Sequence, residues 1–184
     1  MVNTNTRIWI GNLGKRNEGE LIGEWLSLPF DFDDFDDFLC EKIGIGEVDE
    51  FGQEYEEWYV GDIDSELPIK FHEYWSIVEL QELSDLIDNI EYLSTREYES
   101  LFACLDAEGN DIEDAYEVIR SGNYMHLPWI KNWYDYGEHI FNECGYADEV
   151  SERMRNYFDY ESFGEDYGQN GNISKKYGYF EVTR

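Results

Sequence analysis

The run Asp106-Ala107-Glu108-Gly109-Asn110-Asp111-Ile112-Glu113-Asp114-Ala115-Tyr116-Glu117 puts oxygen ligands at loop positions 1, 3, 5, 9 and 12, the spacing of a calcium-binding EF-hand. Its sixth position is Asp111, where the sharp turn of such a loop requires glycine. The same residues read as a helix end, a turn and a capped helix start. Carboxylates about 5 to 10 Å apart suit glycoside hydrolysis, but 43 Asp and Glu make such pairs unavoidable and single none out. His72, His126 and His139 lack the His-x-x-x-His spacing of a zinc hydrolase and read as structural or surface residues. There is no Gly-x-Ser-x-Gly, and Gly44-Ile45-Gly46 lacks the third glycine and the lysine of a phosphate loop. We therefore expect no catalytic residue, no metal and no cofactor.

What remains conspicuous is charge. The 184 residues carry 43 acids against 13 Lys and Arg, a net charge of −30, together with 17% aromatic residues. Such a chain repels DNA, RNA and anionic lipid, so neither nucleic acid nor membrane is an expected partner. Its aromatic content separates it from disordered acidic tails and predicts a folded protein. Residues 1 to 42 hold 9 acids and 4 bases, 43 to 130 hold 23 and 3, and 131 to 184 hold 11 and 6. Lys70, Arg96 and Arg120 are the only Lys or Arg in that middle stretch. An ordinary solvated helix face interleaves Glu with Lys and gains a few tenths of a kcal/mol per pair; this sequence forgoes it. Cys40, Cys104 and Cys144 are odd in number and widely spaced, which fits a reducing cytoplasm. The first residues lack a secretory signal's order, and no stretch approaches the roughly 20 apolar residues of a membrane span.

The elements that must carry these charges follow from periodicity. Arg7 to Ile10 reads as a strand, Gly11 to Gly19 as a turn, and Glu20 to Leu28 as a second strand closed by Pro29. Phe32, Phe35, Phe38 and Leu39 behind an acidic first turn predict a short helix to about Ile43, and Tyr55 to Ile63 a third strand. Ser76-Ile77-Val78-Glu79 and Ser94-Thr95-Arg96-Glu97 match the capping box, placing helix starts at Ser76 and Ser94. In the first of these helices Ile77, Leu80, Leu83, Ile87 and Ile90 form the buried stripe, while Glu79, Glu82, Asp85, Asp88 and Glu91 recur every third residue. Tyr98, Leu101, Phe102 and Leu105 give the second its apolar face. Asp111 starts a further helix that Gly122 stops, and Asn123 to Leu127 is a strand. Ile130 to Cys144 forms another helix, Val150, Met154, Tyr157 and Phe158 one more, and a hairpin from Gly171 to Val182 closes the chain. Trp133, Tyr134, Tyr157 and Phe158 read as core, or else as an oligomer interface. The expected class is α+β in three parts: a sheet-plus-helix domain at 1–68, an acidic helical domain at 69–109 and an α+β domain at 110–184.

B-form DNA carries one negative charge per about 1.7 Å of axis, so thirty charges match roughly 50 Å, or about 15 base pairs. Helices studded with carboxylates can present a comparable field to the basic groove of a DNA-binding enzyme, and a DNA mimic is the class this suggests. The candidate surface comprises Glu47, Asp49, Glu50, Glu54, Glu56, Glu57, Asp62, Asp64, Glu79, Glu82, Asp85, Asp88, Glu91, Glu97, Glu99, Asp106, Glu108, Asp111, Glu113, Asp114 and Glu117. The alternatives are an acidic protein-interaction or calcium-binding module and a carboxylate hydrolase.

Ile8-Trp9-Ile10-Gly11-Asn12-Leu13-Gly14-Lys15-Arg16-Asn17-Glu18-Gly19-Glu20-Leu21-Ile22-Gly23-Glu24-Trp25 resembles the opening of ArdA-type antirestriction proteins, with Arg16 where Tyr is common. Tyr157-Phe158-Asp159-Tyr160-Glu161-Ser162-Phe163-Gly164-Glu165-Asp166-Tyr167 is similar to a segment near that family's other end, with Glu165 for the usual Arg and Tyr167 for Leu. The resemblance implies an elongated, non-enzymatic, three-domain DNA mimic. It would act in the cytoplasm of a bacterial host on type I restriction-modification enzymes, after entry of a mobile genetic element. It also implies a homodimer through the C-terminal unit, with Tyr157, Phe158, Asp159, Tyr160 and Phe163 as the interface.

Overall fold

The computed structural model describes every residue except Met1, Asn3 and Arg184. The chain divides into two compact units, residues 1–93 and 94–184.

In the first unit, β1 (Arg7–Asn12), β2 (Gly23–Ser27) and β3 (Trp58–Asp64) form an antiparallel sheet in the order β2-β1-β3. Alternation along β1 sends Ile8 and Ile10 into the core with Leu26, Val60 and the Phe35, Leu39 and Ile43 face of the following helix. The residues between β1 and β2 hold a helical turn, α1 (Leu13–Asn17), where the sequence predicts a plain turn. Asn12 explains it: its side chain accepts from the Lys15 N–H at 3.0 Å and donates to the Ile43 carbonyl at 3.1 Å, so one buried amide caps α1 and ties it to the next helix. In consequence β2 starts at Gly23 rather than Glu20. A 3-10 turn at Phe32–Asp34 runs into α2 (Phe35–Ile43), which ends on Gly44 in the left-handed conformation. The unit closes with α3 (Ile77–Glu91), which buries Leu80, Leu83, Ile87 and Ile90; Ile77 at its first turn is exposed, unlike the rest of the expected stripe.

The second unit opens with α4 (Thr95–Glu108) and α5 (Ile112–Ser121), joined at Gly109 and stopped at Gly122, both with positive φ. After β4 (Tyr124–Leu127) come α6 (Trp133–Glu143), two single turns α7 (Tyr146–Glu149) and α8 (Glu152–Arg155), and α9 (Tyr160–Tyr167). A hairpin of β5 (Asn172–Ser174) and β6 (Gly178–Val182) completes a sheet in the order β4-β6-β5. Tyr136 stacks on Tyr179 with centroids 4.0 Å apart beside Ile130 and Ile140. α6 and α9 touch backbone to backbone, since a Cβ on Gly137 would strike the Tyr160 carbonyl and one on Gly164 the Trp133 carbonyl. The helix expected through Val150, Met154, Tyr157 and Phe158 is only the turn α8. Asp159 intervenes: as N-cap its carboxylate accepts from the Ser162 N–H at 3.1 Å, and α9 starts at Tyr160, two residues after Phe158. The fold is α+β, with a small antiparallel sheet in each unit. Among the described residues, no helix is long and apolar enough to cross a membrane.

Candidate functional site

Both capping boxes form. The Glu79 carboxylate accepts from the Ser76 backbone N–H at 2.8 Å and hydroxyl at 2.7 Å, while the Glu79 N–H returns to the hydroxyl. The Ser76 backbone donor, aided by the hydroxyl and by His72 Nε2 at 3.3 Å, holds Glu79 below the usual carboxylate range. Ser94 and Glu97 repeat the arrangement at the head of α4, with contacts of 2.6 and 2.8 Å, and Glu97 is lowered by the Ser94 hydroxyl first and its N–H second. Other predicted carboxylates also serve the backbone. Glu91 accepts from the N–H and hydroxyl of Thr4 at 3.1 and 3.0 Å. Asp49 accepts from the N–H groups of Phe51 and Gln53, and Asp64 pairs with Arg7 at 2.7 Å.

The remainder stand outward. Glu82, Asp85 and Asp88 on α3, Glu99, Asp106 and Glu108 on α4, and Glu113, Asp114 and Glu117 on α5 are exposed, as is Asp111 before α5. Among the described residues none of them forms an ion pair. Glu54, Glu56 and Glu57, ahead of β3, line a shallow cleft with Asp49 and Glu18, while Glu47 and Glu50 lie exposed nearby in the chain. The middle-stretch cations Lys70, Arg96 and Arg120 are exposed and likewise join no ion pair among the described residues. Thus most of the predicted carboxylates are solvent-facing in each unit, while Asp49, Glu91 and Glu97 are half-buried and, with Glu79, serve as caps and turn acceptors.

The EF-hand-like run does not form a loop. Asp106 and Glu108 belong to the last turn of α4, Gly109 reverses the chain at φ 66°, and Glu113, Asp114 and Glu117 lie on α5. Among the described residues no group of three or more His, Cys, Asp and Glu is placed to hold a metal ion. His126 is buried, with Nδ1 2.7 Å from the Ser100 hydroxyl and Nε2 2.9 Å from the Tyr177 carbonyl, a structural role. Burial, with Glu108 adding to it, pushes the Cys104 thiol up to about 11, which keeps it protonated and inert.

Of the five C-terminal residues, Tyr157 is 85% exposed, while Phe158 packs on Phe141 at 4.6 Å and on Phe163 at 5.3 Å. Tyr160 meets Tyr134 and Phe141, Phe163 meets Tyr146, and Asp159 caps α9. One feature escaped the spacing of charges altogether: the sheet face away from α2 carries Trp9, Trp25 and Tyr59. The period-2 sets Trp9, Gly11 and Gly23, Trp25 signal it, because the glycines leave room for rings lying flat on the sheet.

An α+β protein that turns most of its helical carboxylates outward, without ion pairs among the described residues, carries the charge to meet a cationic surface. The family model of the antirestriction protein ArdA matches residues 8–181, so the chain belongs to that family and is an antirestriction protein. Comparison with curated proteins gives no match.

Proposed function

We propose that this antirestriction protein blocks a type I restriction-modification enzyme by presenting carboxylates where the DNA-binding groove expects phosphates. The observation that carries this reading is the set of exposed acids on α3, α4 and α5 that form no ion pair among the described residues, beside cations too few to neutralise them. At one charge per about 1.7 Å of duplex axis, the net −30 equals that of roughly 50 Å of B-DNA. Occupying the groove releases anions from the enzyme and cations from the inhibitor, so binding draws on the same counterion term as DNA itself. The inhibitor works by binding, in the cytoplasm of the bacterial host, and as a homodimer formed through the C-terminal unit, where Tyr157 offers the most exposed ring.

The test is cleavage of unmodified DNA by a purified type I enzyme. Stoichiometric protein protects the DNA, while gel shifts of DNA with this protein alone stay negative because both are polyanions. Direct DNA binding, or full cleavage at saturating protein, refutes the reading.

A further inference from the structure

On the outer face of the first unit's sheet, cations, rings and carboxylates come in sets of three. Arg7 stacks over Trp25 at 4.7 Å and pairs with Asp64. Arg16 stacks over Tyr59 at 4.6 Å and pairs with Glu73. At the sheet's end, Lys15 sits 4.6 Å over Tyr55 with Glu18 at 3.7 Å. A cation over an aromatic face is attracted by the ring quadrupole, and a carboxylate beside it fixes its orientation.

Between the two arginine sets lies a fourth ring with a carboxylate. Trp9 is paired in register with Asp62, so both side chains leave the sheet on one face. The Trp9 ring lies against Gly23 and Gly61, which turns its opposite side to the groove that Leu21 and Phe71 border. Asp62 is exposed and uses Oδ1 to accept from the Ile63 N–H, leaving Oδ2 for another donor. Among the described residues no cation of the chain stacks on Trp9.

We propose that Trp9 and Asp62 form a binding site for an arginine side chain of the partner protein, a contact of different physical character from the acidic helices. The chemistry follows from charge complementarity: an indole face and a carboxylate, flanked by two sites of the same composition that already hold guanidinium groups. Arginine fits better than lysine, because its planar group stacks and bonds at once. That the arginine belongs to a restriction enzyme rests on the function proposed above; the site's preference for guanidinium does not. Leu21, 74% exposed, and Phe71 give the arginine's methylene stem an apolar border.

The full chain, labelled with 15N, is titrated with acetyl-tetraarginine amide in 150 mM salt, and the Trp9 indole N–H signal is assigned with Trp9→Phe. The signal shifts saturably, and Asp62→Asn weakens the peptide's effect on it by about two- to five-fold. A Trp9 signal that stays still while other signals move overturns the site. So does one that moves with protein concentration alone, which assigns the face to a second copy of the chain. In a second arm, Asp62→Asn raises the concentration needed to block a type I enzyme by a similar factor. If wild-type protein fails to inhibit while Trp9 still responds to peptide, the proposed function falls and the arginine site stands. If wild-type inhibits and Asp62→Asn inhibits equally, the site has no part in inhibition.

Discussion

Changing Glu82, Asp85 and Asp88 to their amides separates what the acids of α3 do for the fold from what they do for binding. The three follow each other at i,i+3, all are exposed, and no cation pairs with them among the described residues. Four like-charge neighbour pairs disappear, Glu79–Glu82, Glu82–Asp85, Asp85–Asp88 and Asp88–Glu91, each worth about 0.2 to 0.5 kcal/mol of repulsion. The relief totals about 1.4 kcal/mol, and for a unit of this size that raises Tm by about 6 to 11 °C. Inhibition moves the other way. Three fewer phosphate equivalents weaken binding to a type I enzyme and flatten the fall of log affinity with log salt. The assays are differential scanning calorimetry and DNA protection at several salt concentrations, wild type beside the triple variant. A lowered Tm would show that these carboxylates have structural partners. An unchanged salt slope would remove α3 from the contact surface, and full loss of inhibition from any one of the three changes would point to a local hot spot instead.

The other predictions follow from the same division of labour. Ser94→Ala removes the cap of α4 and costs about 1 kcal/mol in urea denaturation; an unchanged midpoint would mean that the cap contributes nothing. Glu79 and Glu97 have folded pKa values below their unfolded ones, so their contribution is complete above the unfolded value of about 4.3 and fades as pH falls through the lowered folded value. The doubly substituted Ser76→Ala, Ser94→Ala protein therefore loses less stability than wild type between about pH 5 and 3, and equal losses would contradict the assignment. Added sodium chloride raises the Tm of the wild type by screening self-repulsion and weakens inhibition in the same range; a Tm indifferent to salt would deny that repulsion burdens the fold. Tyr157→Glu halves the mass seen by light scattering without lowering Tm, whereas Phe158→Glu also destabilises the unit because that ring packs on Phe141; a Tyr157→Glu dimer would place the interface elsewhere.

The parts of the fold that the sequence discloses are those specified by local chemistry. Ser-x-x-Glu at 76 and 94 marks both helix starts because the motif's donors and acceptors lie within one turn, and Gly109 and Gly122 mark stops because left-handed φ excludes most other residues. Helices set by distant partners are hidden. α1 depends on Asn12 reaching the Ile43 carbonyl 31 residues on. The gap between α8 and α9 is different: Asp159 caps α9 locally through Ser162, and an apolar pattern that runs on across it masks the signal. The outward acids were legible from the 23-to-3 imbalance alone, since isolated carboxylates cannot be buried without partners. The aromatic sheet face shows in the period-2 Trp and Gly sets, but the meeting of Trp9 with Asp62 does not, because it needs the pairing register and the bulge of β1 with β3.

The capping boxes impose unequal freedom on two kinds of glutamate that composition cannot tell apart. Glu79 and Glu97 hold fixed donors at fixed distances, so a lineage that loses either must repair a helix start. Glu82, Asp85 and Asp88 hold no such partner among the described residues, and an Asp-for-Glu exchange, or an acid lost from one turn and gained on the next, leaves the helix and its total charge intact. Descendants of this sequence can therefore wander in where their surface acids stand while keeping the serine-glutamate caps still, and under the phosphate-replacing function proposed above such an antagonist offers its target little against which to evolve escape.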